Sequence, residues 1–259
     1  MTWLLTEDRG QVRWLTIDRP ERKNVVPFDG WGDLRAAFED FESSDQRVLV
    51  VTGSGGEFCA GADLDPSRLD RIQTVAGRHA RMKEVGSAAM ALHRLTKPTI
   101  AAVDGVAVGA GMNLALGCDV VVATERARFS EIFVRRGLTV DFGGSWLLPR
   151  IVGLQRAKEL ALSGRIVEAE EAAQIGIALE VVPVDELEAR VTELAEAFLL
   201  GAPMAQMFAK QTIDAAFQTS LADSLSWEGE AQSVALGTED AAEGLLAFLE
   251  KRAPSWKGK

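Results

Sequence analysis

An α/β core running to about residue 200, followed by a helical C-terminal piece over 201–259, is predicted by three features of the 259-residue chain. Short β-rich runs alternate with glycine turns through the first two thirds. Helical spacings take over after about residue 154. The strand, turn, strand, helix rhythm lacks the long regular helices of a doubly wound nucleotide fold.

The elements follow in order. Val12-Arg13-Trp14-Leu15-Thr16-Ile17-Asp18 is β-rich and closes at Arg19-Pro20, where proline stops a ladder. Phe28 to Phe41 places Trp31, Leu34, Phe38 and Phe41 at a helical spacing of three and four. Val48 to Thr52 reads as a buried strand ended by Gly53-Ser54-Gly55-Gly56, and Thr99 to Val108 as another apolar run leading to Gly109-Ala110-Gly111. A short helical pattern from Met112 to Leu116 and a strand over Asp119–Thr124 come next. Asp185 with Glu188 three residues on looks like a capping box, and Leu187, Val191, Leu194 and Phe198 give that helix its apolar face. Gly201-Ala202-Pro203 breaks the chain before helices around Met204–Phe217 and Leu221–Leu236. A last helix is capped by Thr238 and carries Ala242, Leu245, Leu246 and Leu249 on one stripe. These late apolar faces need partners, which a second subunit could supply.

Composition narrows the function classes. With 28 Lys+Arg against 38 Asp+Glu the net charge is −10, which argues against a broad basic surface for nucleic acid or anionic membrane. A polyanionic ligand must therefore meet a local basic rim. Two cysteines, Cys59 and Cys118, are too few for a disulfide framework or a four-ligand zinc site. Met1 to Gly10 lacks the pattern of a secretory signal, and no apolar run approaches the roughly 20 residues of a membrane span. The expectation is a soluble, cytoplasmic protein. Between Pro66 and Glu84 the cations Arg68, Arg71, Arg78, Arg81 and Lys83 cluster with His79; they read as a solvated helix face, or as a cover over an anionic ligand.

Two glycine turns could carry chemistry. Phe58-Cys59-Ala60-Gly61-Ala62-Asp63-Leu64 follows a strand, and Val108-Gly109-Ala110-Gly111-Met112-Asn113 joins a strand to a helix, so the Ala110 and Gly111 N–H groups should lie at a positive helix terminus. Two N–H groups aimed at one point from separate loops suit an oxyanion of acyl chemistry, although on spacing alone such turns are more often packing devices. Asp141, on spacing alone, reads as a cap on a helix beginning near Gly143. Glu131 reads as a surface carboxylate, His93 as a solvated helix histidine and Cys59 as a small packed residue.

The ordered set Phe58 to Leu64, Lys97-Pro98-Thr99-Ile100-Ala101-Ala102-Val103-Asp104-Gly105, Gly109-Ala110-Gly111, Gly117-Cys118-Asp119, Gly143-Gly144 and Leu148-Pro149-Arg150 resembles the crotonase family of enoyl-CoA hydratases and isomerases. The likeness continues through Ala169–Gly176 to Glu243-Gly244 and Lys251–Pro254, nearly the whole chain. It implies an α/β spiral of ββα turns with a C-terminal helical trimerisation region, assembled as a homotrimer or hexamer. It also implies an acyl-CoA thioester whose carbonyl is held by the N–H groups of Ala60 and Ala110. No metal or redox cofactor is implied, coenzyme A being part of the substrate. By the same likeness Asp119 is a structural aspartate.

Two departures bear on the reaction. The positions where hydratases of this family carry glutamates hold Asn113 and Phe133, and neither side chain can accept and return a proton near neutral pH. Asp141, two residues before the paired glycines, stands where double-bond-shifting members carry a catalytic aspartate, and Phe133 to Leu138 resembles that single-aspartate branch, the ring-epoxide isomerases of phenylacetyl-CoA breakdown. The resemblance thus implies isomerisation of a 3-enoyl-CoA to a 2-enoyl-CoA through Asp141. The alternatives are an unusual hydratase in which Asp141 or Glu131 positions water, and a member that binds acyl-CoA without turnover. The resemblance further assigns Arg22, Lys23, Gly61, Ala62, Asp63 and Leu64 to the coenzyme A and acyl site. Phe248 and Lys251 would meet the adenine and its phosphate, often from the neighbouring subunit.

Overall fold

The computed structural model describes residues 2–64 and 74–259. Strands β1 (Leu4–Arg9) and β2 (Val12–Ile17) form an antiparallel hairpin, Leu4 opposite Ile17 and Arg9 opposite Val12. Helix α1 (Trp31–Ser43) returns the chain to β3 (Val48–Gly53), parallel to β2. Helix α2 (Val75–His93) then leads to β4 (Thr99–Val103) and β5 (Val106–Val108). Helix α3 (Ala110–Leu116) precedes β6 (Val120–Thr124) and β7 (Arg128–Ser130). A 3-10 turn over Ile132–Arg136 and a loop lead into α4 (Gly144–Val152), α5 (Leu154–Ser163), β8 (Val167–Glu168), α6 (Ala169–Gln174) and β9 (Glu180–Val182). Four helices close the chain: α7 (Leu187–Leu199), α8 (Pro203–Asp214), α9 (Leu221–Leu236) and α10 (Glu239–Glu250).

The larger sheet runs β1-β2-β3-β4-β6-β9, parallel after the first pair, and the smaller runs β5-β7-β8. The central strands read as continuous apolar runs because both faces are covered. Val12, Trp14, Val48, Val50, Ile100, Ala102 and Val122 face Val191 and Ala195 of α7. Their neighbours Leu15, Ile17, Leu49, Val51, Ala101, Val103 and Val121 face the main core with α1, α2 and α3. The stripe Val85, Ala88, Leu92 of α2 is buried there as its spacing predicts.

Three expectations are corrected. The run Thr99 to Val108 is two strands in two sheets, because the chain turns at Gly105, whose φ is +63° and whose added β-carbon would lie 2.3 Å from the Gly56 carbonyl. Helix α7 has no capping box: Asp185 is taken into a 3-10 turn over Val184–Glu186, and the helix starts at Leu187 without a side-chain cap. His93 is half-buried, edge-on to Trp146 at 5.1 Å between ring centroids. Thr238 does cap α10, accepting from the Ala241 N–H at 3.0 Å. Leu245, Leu246 and Leu249 of α10 and Leu221 and Leu225 of α9 are exposed in the single chain. No helix of the described residues is long and apolar enough to cross a membrane. Arg68 and Arg71 of the cationic cluster lie outside the described residues, whereas Arg78, His79, Arg81 and Lys83 ride on α2.

Candidate active site

The two glycine turns meet. Cys59 bridges Ala107 in parallel, its N–H donating to the Val106 carbonyl at 2.8 Å and its carbonyl accepting from the Val108 N–H at 3.1 Å. An added β-carbon on Gly111 would lie 2.0 Å from the Cys59 carbonyl oxygen, so only glycine lets the turns close up. One on Gly61 would lie 2.9 Å from the Val108 oxygen and 3.5 Å from the Ala110 nitrogen. Gly109, at φ +56°, starts α3, and the first bond of the helix runs from the Asn113 N–H to the Gly109 carbonyl. The Ala110 and Gly111 N–H groups therefore have no partner within the helix.

Ala60 is not the matching donor. Its N–H already donates to the Lys23 carbonyl at 2.9 Å. At the next bridge the Val26 N–H donates to Gly61 O and the Asp63 N–H to Val26 O, both at 2.8–2.9 Å, which turns the Ala62 N–H to the side opposite Val26. That is the side of the Val108–Gly111 turn. Alternation along an extended strand could have signalled this only once Gly61, at φ +89°, was known to reverse it.

The acid side of the site centres on Asn113, fully buried on α3. Its amide Nδ2 donates to the Asp141 backbone carbonyl at 2.9 Å and to Glu131 Oε2 at 3.4 Å. Asp141 does not cap α4. The chain passes through Phe142 (φ +48°) and Gly143 (φ +82°), and Gly143 is the N-cap with no side-chain bond. Asp141 Oδ1 is buried without a hydrogen-bond partner. Loss of solvent pushes its pKa up to about 6, opposed by the positive charge of Arg81. The Arg81 guanidinium lies over the Phe28 ring, 4.3 Å from its centroid, so the cationic segment does send one charge toward the acid.

Glu131 corrects the surface reading. It is 0% exposed, and burial pushes it up to about 7, with the Asn113 bond lowering it and Asp141 raising it. Residue order offers it only as an alternative water-positioning acid and favours the surface, because its partner is eighteen residues away; the local signal for burial is its place directly after the buried pair Phe129 and Ser130. Phe133 is buried, its ring 3.5 Å from where a β-carbon of Gly109 would sit.

The other candidates are placed as follows. Asp63, 8% exposed, anchors cations: Arg22 reaches it at 3.0 Å and Arg19 at 3.4 Å. Lys23 pairs with Glu57 at 3.0 Å, and Leu64 is exposed. Phe248 is exposed, and Lys251 ends α10 in the left-handed region at φ +54°. Asp119 is structural, accepting from the Thr99 N–H at 2.7 Å and Lys210 Nζ at 2.9 Å. Cys59 and Cys118 are buried and free, and desolvation pushes each thiol up to about 12. A cavity of about 740 Å³ opens beside Phe142 and Gly143, walled by Ala89, Met90, Trp146 and Leu147.

The site thus brings together two glycine turns closed against each other, a desolvated Asp141 and a buried Asn113–Glu131 contact. Residues 7–259 match the family model described as enoyl-CoA hydratase/isomerase. The chain is 36% identical to 1,2-epoxyphenylacetyl-CoA isomerase of Escherichia coli, covering 100% of both, and 34% identical to short-chain-enoyl-CoA hydratase of Clostridium acetobutylicum, covering 96% of this chain and 95% of that one. The crystal structure of an enoyl-CoA hydratase from Bacillus anthracis superposes with a TM-score of 0.94 at 31% identity over 100% of both chains. The chain belongs to the enoyl-CoA hydratase/isomerase, or crotonase, family. The names of its relatives divide between isomerase and hydratase, so they do not choose the reaction.

Proposed function

We propose that the protein is an enoyl-CoA isomerase that moves a double bond from the 3 to the 2 position of an acyl-CoA thioester. The carrying observation is the carboxylate of Asp141, desolvated and with Oδ1 unpartnered. Ionised, it takes a proton from C2 of the 3-enoyl thioester. The electron pair moves onto the thioester oxygen as a dienolate, and the same proton returns at C4. The developing charge on oxygen is met by the N–H groups of Ala110 and Ala62, the latter replacing Ala60. One acid that both takes and returns the proton is enough, and the amide of Asn113 and ring of Phe133 supply no other base. Coenzyme A enters with the substrate, met by Arg22 and Lys23 and by Phe248 and Lys251 of a neighbouring copy. No resident metal or redox group takes part in this scheme. The exposed apolar faces of α9 and α10 support assembly as a homotrimer or hexamer.

Hydration is the second reading, favoured by one observation: Glu131 makes a second buried acid at the site. Two assays separate them. Isomerisation predicts conversion of 3-enoyl-CoA to 2-enoyl-CoA that is lost in Asp141→Asn; a fully active variant overturns it. Rapid formation of 3-hydroxyacyl-CoA from crotonyl-CoA would favour hydration instead.

A further inference from the structure

Three acceptor oxygens are buried without partners around one side chain: Asn113 Oδ1, Glu131 Oε1 and Asp141 Oδ1. Such orphans are costly in a folded core, and three in one cluster ask for a common explanation. Asn113 Nδ2 spends its two hydrogens on Glu131 Oε2 and the Asp141 carbonyl, so its own oxygen needs a donor from elsewhere. Gly144 cannot supply one with a side chain, since its added β-carbon would fall 2.4 Å from Asn113 Oδ1.

We infer that Glu131 is a positioning residue held in its protonated, neutral form, its carboxyl O–H donating to Asn113 Oδ1 in an acid–amide pair that orients the Asp141 loop. One proton then satisfies Asn113 and converts the orphan oxygen of Glu131 into a donor. Only the Asp141 oxygen is left open, where a substrate proton would arrive. The groups facing the pair are consistent with a neutral acid. Asp141 opposes a second negative charge there. The positive charge of Arg81 acts on Asp141, and Lys158 is an exposed residue at the rim of the small cavity behind Glu131. The desolvation of Glu131 points the same way. Glu131 does not touch the reacting atoms in this scheme. It fixes Asn113, and through the Asn113 bond to the Asp141 carbonyl it fixes the base.

The protonation of Glu131 stands independently of the reaction; its positioning role rests on Asp141 being the base. Infrared difference spectroscopy of the protein at about pH 6, below the value of about 7 to which burial pushes Glu131, in H₂O and D₂O, reads the first. A hydrogen-bonded carboxylic-acid C=O band is expected in wild type and Asp141→Asn and is expected to be absent in Glu131→Gln. No band that depends on Glu131 overturns the inference. Asn113→Leu removes the partner and should move the band to that of a free acid; an unmoved band overturns the pairing, and this variant also serves if Glu131→Gln does not fold. The positioning role is read from the acid limb of kcat/KM against pH on a 3-enoyl-CoA. Its midpoint should be the same in Glu131→Gln, because glutamine reproduces a neutral partner. A midpoint displaced to lower pH means Glu131 carries charge while Asp141 titrates, and overturns it. Should Asp141→Asn stay active while the band persists, the isomerase reading fails and the acid–amide pair survives.

Discussion

A β-carbon on Gly144 would fall 2.3 Å from the amide nitrogen of Asn113, on a side chain that is itself fully buried and hydrogen-bonded. The glycine at the start of α4 is therefore the seat of the amide that holds the Asp141 loop. Gly144→Ala should push Asn113 off both of its bonds and cost about 1–3 kcal/mol of stability, with a loss of turnover larger than the shift in melting temperature would explain. Denaturant unfolding alongside the isomerase assay checks this, and an unchanged protein on both counts would remove Asn113 from the account.

Asp141 as a base must be ionised to work, so kcat/KM should fall as pH drops through about 6. Arg81 favours the ionised form. In Arg81→Met the acid limb should move to higher pH, read from initial rates across pH 4.5 to 8, a range of roughly two units about the midpoint. A limb that stays in place would show that the guanidinium does not reach the carboxylate in solution.

Stability should depend on pH through the same two acids. Asp141 and Glu131 bind protons more tightly folded, at about 6 and about 7, than their ordinary values of 3.8 and 4.5. Their contribution is therefore full at pH values below those ordinary ones and is lost as pH rises through the folded values, by on the order of 1–3 kcal/mol for each acid. Thermal melts between pH 4.5 and 8 should show a fall that is shallower in Asp141→Asn and in Glu131→Gln. An equally steep fall in both variants would place the titration elsewhere.

The choice of Ala62 over Ala60 as the loop donor is testable by replacing single amides with esters, which removes an N–H and keeps the side chain. An ester at Ala62 or Ala110 should lower kcat by ~10²–10³. At Ala60 it should remove only the bond to the Lys23 carbonyl and leave kcat within a few-fold of wild type. The reverse ranking would restore the simple reading of the turn.

Much of the scaffold is readable from residue order. The strands at Val12, Val48 and Val120 and helix α7 follow from period, because each buries a continuous face, and the helices from α8 onward follow from punctuation and apolar spacing although α8 and α9 bury no residue in the single chain. Strand β1 escapes such reading, since it is an edge strand with Leu5 exposed and little pattern to show. So does β9, three half-buried residues recruited by pairing to β6. Within the site, Asp141 and Ala110 are legible through motif order. The burial of Glu131 and the occupied Ala60 N–H are not, since each depends on a contact across the chain, with Asn113 and with Lys23.

The two cysteines carry a practical consequence. Buried thiols whose proton is held until about pH 12 offer no thiolate to an alkylating reagent at neutral pH. Labelling must wait for the chain to open. Cys59, pinned between the two glycine turns, and Cys118, lodged between α3 and β6, thus serve as paired clocks whose relative labelling rates show whether the catalytic loops breathe before the core does.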